Sequence, residues 1–317
     1  MKPNNIGGQA VIEGVMMRGT EVYTVAVRKD TGEITTDTQP VSSVIDKVKW
    51  LKLPIIRGIV IFIESFIVGI QTLTYSAEMF GEEFDEEPSK FEDWITKTFS
   101  GKADKIIINV TMAISFIVAI GIFMVLPMWL SRFIKGRLPT SFLQNLVEGG
   151  IRIIIFLGYM TLISKMKDIE RTFEYHGAEH KTINCLDQGK ELTIENVRKC
   201  SRLHKSCGTS FLFVIMIVSI LVFSVFTTQI LWQRTLIRIL MVPVIAGISY
   251  EFIRWARLSE DSVVADLFSK PGMWLQKKFT TREPDDLQLE VAIVAVKGVL
   301  AHESKQTQSI DPTPAHS

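Results

Sequence analysis

"FLFVIMIVSILVFSVFTTQIL", residues 211–231, runs for 21 positions without a charged side chain. A hydrocarbon layer roughly 30 Å thick demands about 20 such residues in a helix. Three further runs are apolar over a similar length, Ile107–Leu130, Leu146–Ser164 and Leu236–Ile253, the last two each carrying two charged residues. Pro127 and Pro243 fall inside them, which membrane helices tolerate better than soluble ones. These runs decide the fold class: mostly α, a polytopic membrane protein with about four transmembrane helices.

A fifth apolar stretch, "IIRGIVIFIESFIVGIQTLTYSA" at 55–77, is long enough to span but is interrupted by Arg57, Glu64 and Gln71. Seven-residue steps drift by only about 20° around a helix, so the three make one narrow polar line. The sequence predicts a further buried or re-entrant apolar helix here, its polar seam against protein or water.

Composition agrees with a bilayer as partner. The 317 residues are 47% hydrophobic and 22% charged, and mean hydropathy is +0.24, above what a charged soluble surface allows. A net charge of +1 and the lack of a basic arm argue for no nucleic acid as partner. The opening residues, MKPNNIGGQAVIEG, lack the unbroken apolar run of a secretory signal.

Positive charge sets the expected topology. The connection 165–209 holds nine Lys and Arg, against three in 132–145 and one in 232–235. Four crossings with both termini inside put the nine-charge loop in the cytoplasm of a multi-pass cell-membrane protein. A crossing by 55–77 would reverse that loop, hence the preference for a non-crossing helix there.

Soluble parts complete a small α+β cytoplasmic region. "VYTVAVRK" and "EITTDT" are β-rich runs parted by "DTG", a hairpin signal. "GGQAVIEGVMMRG" lacks the Lys-Ser/Thr of a phosphate loop. The chain thus divides into an N-terminal soluble region with a hairpin (1–53), the apolar helix with its seam (54–78), an acidic linker (79–105), a transmembrane hairpin (106–164), a His/Cys loop (165–209), a second transmembrane hairpin (210–256), a C-terminal amphipathic region with a proline break and a helix from about Pro284 (257–301), and a disordered tail (302–317).

The chemistry concentrates in "TFEYHGAEHKTINC", residues 172–185. His176 and His180 are four apart and stack on adjacent turns of a helix, so two imidazoles can reach one ion. His-Gly-Ala-Glu-His matches the inverted zinc-protease pattern, whose histidines bind zinc and whose glutamate is the general base. Glu179 occupies that position. "CSRLHKSC" at 200–207 adds His204 and Cys207, with Cys185 and Cys200 in reserve. Three cysteines within 23 residues beside histidines point to metal or thiol chemistry rather than a disulfide framework. Glu251, at the end of a span, is a candidate third ligand, as are Glu191 and Glu195.

Ligand number divides the functions. Three protein donors plus water suit a zinc-dependent hydrolase, peptidase-like, with Glu179 as base. Four protein donors make a structural site, as in a non-enzymatic accessory that assists other membrane proteins. A transporter reading would instead use Arg57, Glu64, Glu148 and Arg152.

Together, "GGQAVIEGVMMRG", "LPIIRG", "YHGAEHKTI", "CGTSF" and "TTREPDDLQLEVAI" resemble the bacterial YqhQ-type membrane family over residues 7 to about 296. That resemblance implies a multi-pass membrane location and a metal-dependent enzyme, and supplies neither substrate nor catalytic residues. Where relatives carry His-Pro-Arg-Cys, residues 204–207 here read His-Lys-Ser-Cys, keeping the histidine and the cysteine.

Overall fold

The computed structural model describes residues 6–80, 103–135, 140–205, 207–226, 230–258 and 263–310. The acidic linker lies almost wholly outside them. In chain order the elements are β1 (Gly7–Val11), β2 (Gly14–Arg18), β3 (Val22–Arg28), β4 (Ile34–Pro40), α1 (Ile56–Phe80), α2 (Ala103–Ile120), α3 (Leu126–Lys135), α4 (Ser141–Ile163), α5 (Lys167–Asp187), α6 (Ile194–Arg198), α7 (Gly208–Ser224), α8 (Leu231–Leu258), α9 (Val263–Leu275) and α10 (Asp286–Ile310).

The chain divides into two units, each with its own packing. One comprises residues 1–81, 161–215 and 243–317. Its centre is an antiparallel meander in the order β1-β2-β3-β4. The β3–β4 hairpin expected from "DTG" is present, pairing Arg28 with Ile34 and turning through Gly32 at φ +86°, a conformation that suits glycine. The glycine-rich string is a second hairpin, pairing Gly7 with Arg18 and Val11 with Gly14. Its turn places Glu13 at φ +47°.

Both faces of this sheet are covered, so its strands read as apolar on consecutive residues rather than alternating. Val15, Met17, Val22 and Ala26 face α5 and α10, where Tyr175, Ile183, Leu289, Ala292 and Val296 complete the main core. Val11, Met16, Val25 and Val27 meet Val68, Tyr75 and Met79 of α1. The last helix is therefore a core helix, more deeply buried than an amphipathic surface helix. Asp285 and Gln288 cap it reciprocally, each side chain accepting from the other's backbone N–H at 2.8 and 2.9 Å. It continues to Ile310, beyond the point where the sequence suggests that order ends. The proline break expected in the preceding segment is absent, because α9 runs through Pro271.

The second unit comprises residues 82–160 and 216–242. A wide π-turn at Gly121–Val125 joins α2 to α3. Pro127 has no N–H to offer the Phe123 carbonyl, and Arg152 Nε donates to that carbonyl instead at 3.0 Å. Glu148, 1% exposed, sits among Arg152, Arg234 and Arg238. A lone Glu148–Arg152 pair is the sequence expectation; the observed cluster has three guanidiniums because α8 contributes two from a distant part of the chain.

Among the described residues, four helical stretches are long and apolar enough to cross a membrane: Ile56–Phe80, Val110–Ile134, Phe142–Ile163 and Trp232–Ala256. The number is the one expected, but the set differs. The run 211–231 yields a shorter apolar helix, Phe211–Ser224, ending where Thr227, Thr228 and Gln229 begin to replace aliphatic residues. Conversely α1 is not the buried helix that its interruptions suggest, since only 17% of its apolar window is buried. Its polar seam is used locally: Arg57 pairs with Glu251, and Glu64 accepts from Ser43 and from Val44 N–H.

Candidate metal centre

The site is built on α5, whose exit is a tight turn at Gly189, φ +66°, with Lys190 N–H returning to the Cys185 carbonyl at 3.1 Å. Gly177, a weak helix former beside His176, has a steric reason. A Cβ there would run into the Arg282 carbonyl and lie 3.3 Å from Pro284 Cδ.

His176 and His180 each spend one ring nitrogen on the backbone. His176 Nδ1 is 2.7 Å from the Thr280 carbonyl, and His180 Nδ1 is 2.7 Å from the Arg202 carbonyl. A carbonyl only accepts, so both Nδ1 atoms carry the proton and both Nε2 atoms present lone pairs. Fixing a metal-binding imidazole's tautomer through its remote nitrogen is the usual second-layer arrangement. His176 Nε2 lies 3.3 Å from Cys207 Sγ. His180 Nε2 is buried with no hydrogen-bond partner among the described residues, a costly state for a polar atom unless something else binds it.

One ligand atom from each of His176, His180 and Cys207 falls within 4.8 Å of the others. Around a tetrahedral zinc, donors at bond lengths of about 2.0–2.3 Å sit roughly 3.3–3.8 Å apart. The His176–Cys207 pair already has that spacing, and the widest pair would close by adjustments of about 1 Å. Two imidazoles and one thiolate also suit zinc chemically. The donor set fits such an ion.

Glu179 stands beside the donors, with Oε2 3.7 Å from His176 Nε2 and 3.8 Å from His180 Nε2. It is 4% exposed. Burial pushes its carboxyl up to about 8, against the opposing pull of His176 and the Gly8 backbone N–H. Burial likewise holds the His180 imidazole well below its ordinary range and raises the Cys207 thiol. Without a cation, burial thus favours the uncharged forms of Glu179, His180 and Cys207, and a cation would displace protons from the carboxyl and the thiol.

The remaining candidates lie elsewhere. His204 Nε2 is 3.5 Å from Asp187 Oδ2, and its ring centroid is 5.8 Å from that of His180, so it borders the donor group without joining it. Glu251, proposed from its place at the end of a span, gives its carboxylate to Arg57, whose Nε donates at 2.6 Å. Its position follows the α1–α8 contact rather than the histidine helix. Glu195 pairs with Lys199. Cys185 and Cys200 lie in the main core, where burial raises the Cys185 thiol to about 11.

Two residues that matter here had no role in the sequence reading. Gly8 brings its N–H to the Glu179 carboxyl, and a Cβ at Gly8 would lie 2.7 Å from Glu179 Cγ. Glu13, in the turn of the same hairpin, forms an ion pair with Arg171 and accepts from Tyr175 Oη at 3.1 Å. The paired glycines of "GGQAVIEG" are the signal that could have pointed to a close backbone approach.

A family described as "Protein of unknown function (DUF1385)" matches residues 53–302. The "Uncharacterized protein YqhQ" of Bacillus subtilis (strain 168) is 35% identical over 313 residues, covering 98% of this chain and 97% of that protein. No solved structure matches. With most of its length inside that family and a relative alike from end to end, the chain belongs to the DUF1385 family of YqhQ-type proteins.

Proposed function

We propose that this is a multi-pass protein of the cell membrane that holds a divalent cation, zinc by donor type, in a juxtamembrane cytoplasmic site and uses it for hydrolysis, with a peptide-like bond as substrate. One observation carries the reading. Two imidazoles, one half-buried and one buried, commit their Nδ1 protons to backbone carbonyls and turn Nε2 toward the half-buried Cys207 thiol, with His180 Nε2 buried and unpartnered among the described residues.

Three protein donors leave a fourth position free on a tetrahedral ion, which would supply Lewis acidity there. His176, His180 and Cys207 would hold the ion. Glu179, close to both Nε2 atoms and tuned near neutrality, would take a proton from water in the chemical step and pass it to the leaving group. The histidine-rich helix belongs to the most positive connection in the chain, which supports a cytoplasmic placement.

The burial of Glu179 favours a second reading, a non-enzymatic accessory in which the ion pins the fold and other membrane proteins are the partners. Detergent-purified protein separates them. Elemental analysis should give one zinc per chain, and X-ray absorption should resolve two nitrogen, one sulfur and one oxygen neighbour. Glu179→Gln should keep the zinc and lose peptide hydrolysis. A fourth protein ligand, with Glu179→Gln functionally silent in cells, would establish the accessory reading. Protein that binds no metal would remove both.

A further inference from the structure

We infer that α1, although long and apolar enough to span, does not cross the bilayer but lies along its surface, with the sheet on one side and lipid on the other. The constraint is chain connectivity. One core is made of residues from 6–26, 175–200 and 289–299, so these three sections occupy the same side of any membrane. Between the first and second lie three span-length stretches: α1, Val110–Ile134 and α4. An odd number of crossings would tear the core apart, so one of the three stays on the core's side. By the same count the shorter apolar helix Phe211–Ser224 crosses together with α8 between the second and third sections. The segment between α1 and α2 cannot supply another crossing. Glu82, Glu83, Asp85, Glu86, Glu87, Glu92 and Asp93 crowd it, and carboxylates at the bilayer centre are prohibitively costly.

The stretch that stays is α1, because its second half is already in use as a cover for the sheet. Val68, Tyr75 and Met79 pack on Val11, Met16, Val25 and Val27. Ser76 Oγ accepts from Ile12 N–H at 3.2 Å, and Gly69 lies against the Gln9 amide. The helix is inside-out by the standards of a soluble protein. Its small residues Gly69, Thr72 and Ser76 are buried, while Ile63, Phe66, Ile67 and Leu73 stand 39–58% exposed along one face. A face of that kind wants a hydrocarbon neighbour.

The start of α1 marks the depth. Gly58 lies against Gly247, and Arg57 pairs with Glu251, near the end of the apolar stretch of α8 at Ala256. The turn before it exposes Trp50, Leu53 and Ile55 next to Lys47, Lys49 and Lys52. Tryptophan and lysine together are the side chains of the headgroup region.

Single cysteines and an impermeant maleimide on intact cells test the crossing, with the parent protein as background. Ser89→Cys should report the side shared by Lys190→Cys, opposite to Thr140→Cys. Labelling of Ser89→Cys in step with Thr140→Cys would overturn the inference. Phe66→Cys carrying a nitroxide, in bilayers of phosphatidylethanolamine and phosphatidylglycerol, tests the occupant. Relaxation by oxygen should exceed relaxation by a water-soluble nickel chelate several-fold. Relaxation dominated by the chelate, or by neither because a protein surface covers the site, would refute lipid contact.

Discussion

Gly8→Ala is a one-carbon change whose outcome depends on the contact between the glycine hairpin and α5. The backbone at Gly8 is not in the left-handed region, so alanine meets no conformational penalty. Its smaller unfolded-state entropy would by itself stabilise the protein by about 0.4–1 kcal/mol. Against this, the new Cβ would lie 2.7 Å from Glu179 Cγ, 2.8 Å from the Met16 carbonyl and 2.9 Å from Glu179 Oε1. Ordinary carbon contacts are about 3.5 Å or more, so the glutamate or the strand must yield by roughly 0.7 Å. Overpacking of this kind costs about 1–3 kcal/mol, which outweighs the entropy gain. The middle of these ranges leaves a net loss of about 1–2 kcal/mol, so at about 2–4 °C per kcal/mol for a domain of 150–250 residues, Tm should fall by roughly 2–8 °C. If Glu179 is the base of the proposed hydrolysis, turnover should suffer more, since a reacting group displaced by about 1 Å loses on the order of 100-fold in rate. Zinc content should hold, because no donor is touched. The checks are thermal unfolding followed by tryptophan fluorescence, and zinc stoichiometry with peptide turnover on the same sample. An alanine variant as stable and as active as the parent would refute the close approach of Gly8 to Glu179.

Metal-stripped protein should lose stability as pH rises from 6.5 to 8. The Glu179 carboxyl, raised from 4.5 to about 8, contributes fully below the unfolded value and loses that contribution through the folded one. The depressed His180 acts oppositely, but only below its ordinary 6.5. The net fall above 6.5 is about 2 kcal/mol at 1.36 kcal/mol per unit; a chelator titration of Tm that rises over this range would contradict it. Glu13→Ala should cost about 1–3 kcal/mol, because Tyr175 and Arg171 lose a buried acceptor although the guanidinium is half exposed. An unchanged denaturation midpoint would show the turn to be held otherwise. Glu251→Gln should leave zinc stoichiometry intact while lowering Tm through the loss of the Arg57 pair; loss of zinc would restore Glu251 as a ligand.

What the sequence discloses depends on whether a feature is local. The β3–β4 hairpin was legible because its turn chemistry lies within five residues, with Gly32 supplying the positive φ. The β1–β2 hairpin was not, because its turn holds Glu13 at a positive φ, and the side chains that engage its carboxylate, Arg171 and Tyr175, lie some 160 positions away. The histidine pair was visible by its four-residue spacing. Its partner Cys207 could be nominated but not distinguished from His204, since the loop conformation that turns one inward comes from Gln276, which bonds the His204 backbone on both sides. Glu251 was misplaced because a shared membrane face says nothing about lateral position. The apolar face of α1 was misread for a related reason, since polar interruptions reveal that a seam has partners but not how wide that seam is.

One helix reconciles the glycine-rich string with the histidines. Along α5, Arg171, Tyr175 and Glu179 recur every four residues, and all three engage the β1–β2 hairpin, through Glu13 twice and Gly8 once. One residue further round, His176, His180 and Asn184 recur at the same interval. They engage the carbonyls of Thr280, of Arg202, and of Ser201 and Leu203. Adjacent stripes with a four-residue period share a single register. A slip of α5 by one position, a rotation of about 100°, would break both sets at once. The hairpin therefore fixes the azimuth at which the imidazoles leave the helix, and the loops fix their tautomer. Neither alone would bring the two Nε2 atoms together beside the Cys207 thiol. The two most distinctive strings in the sequence, 160 residues apart, are thus two halves of one positioning device.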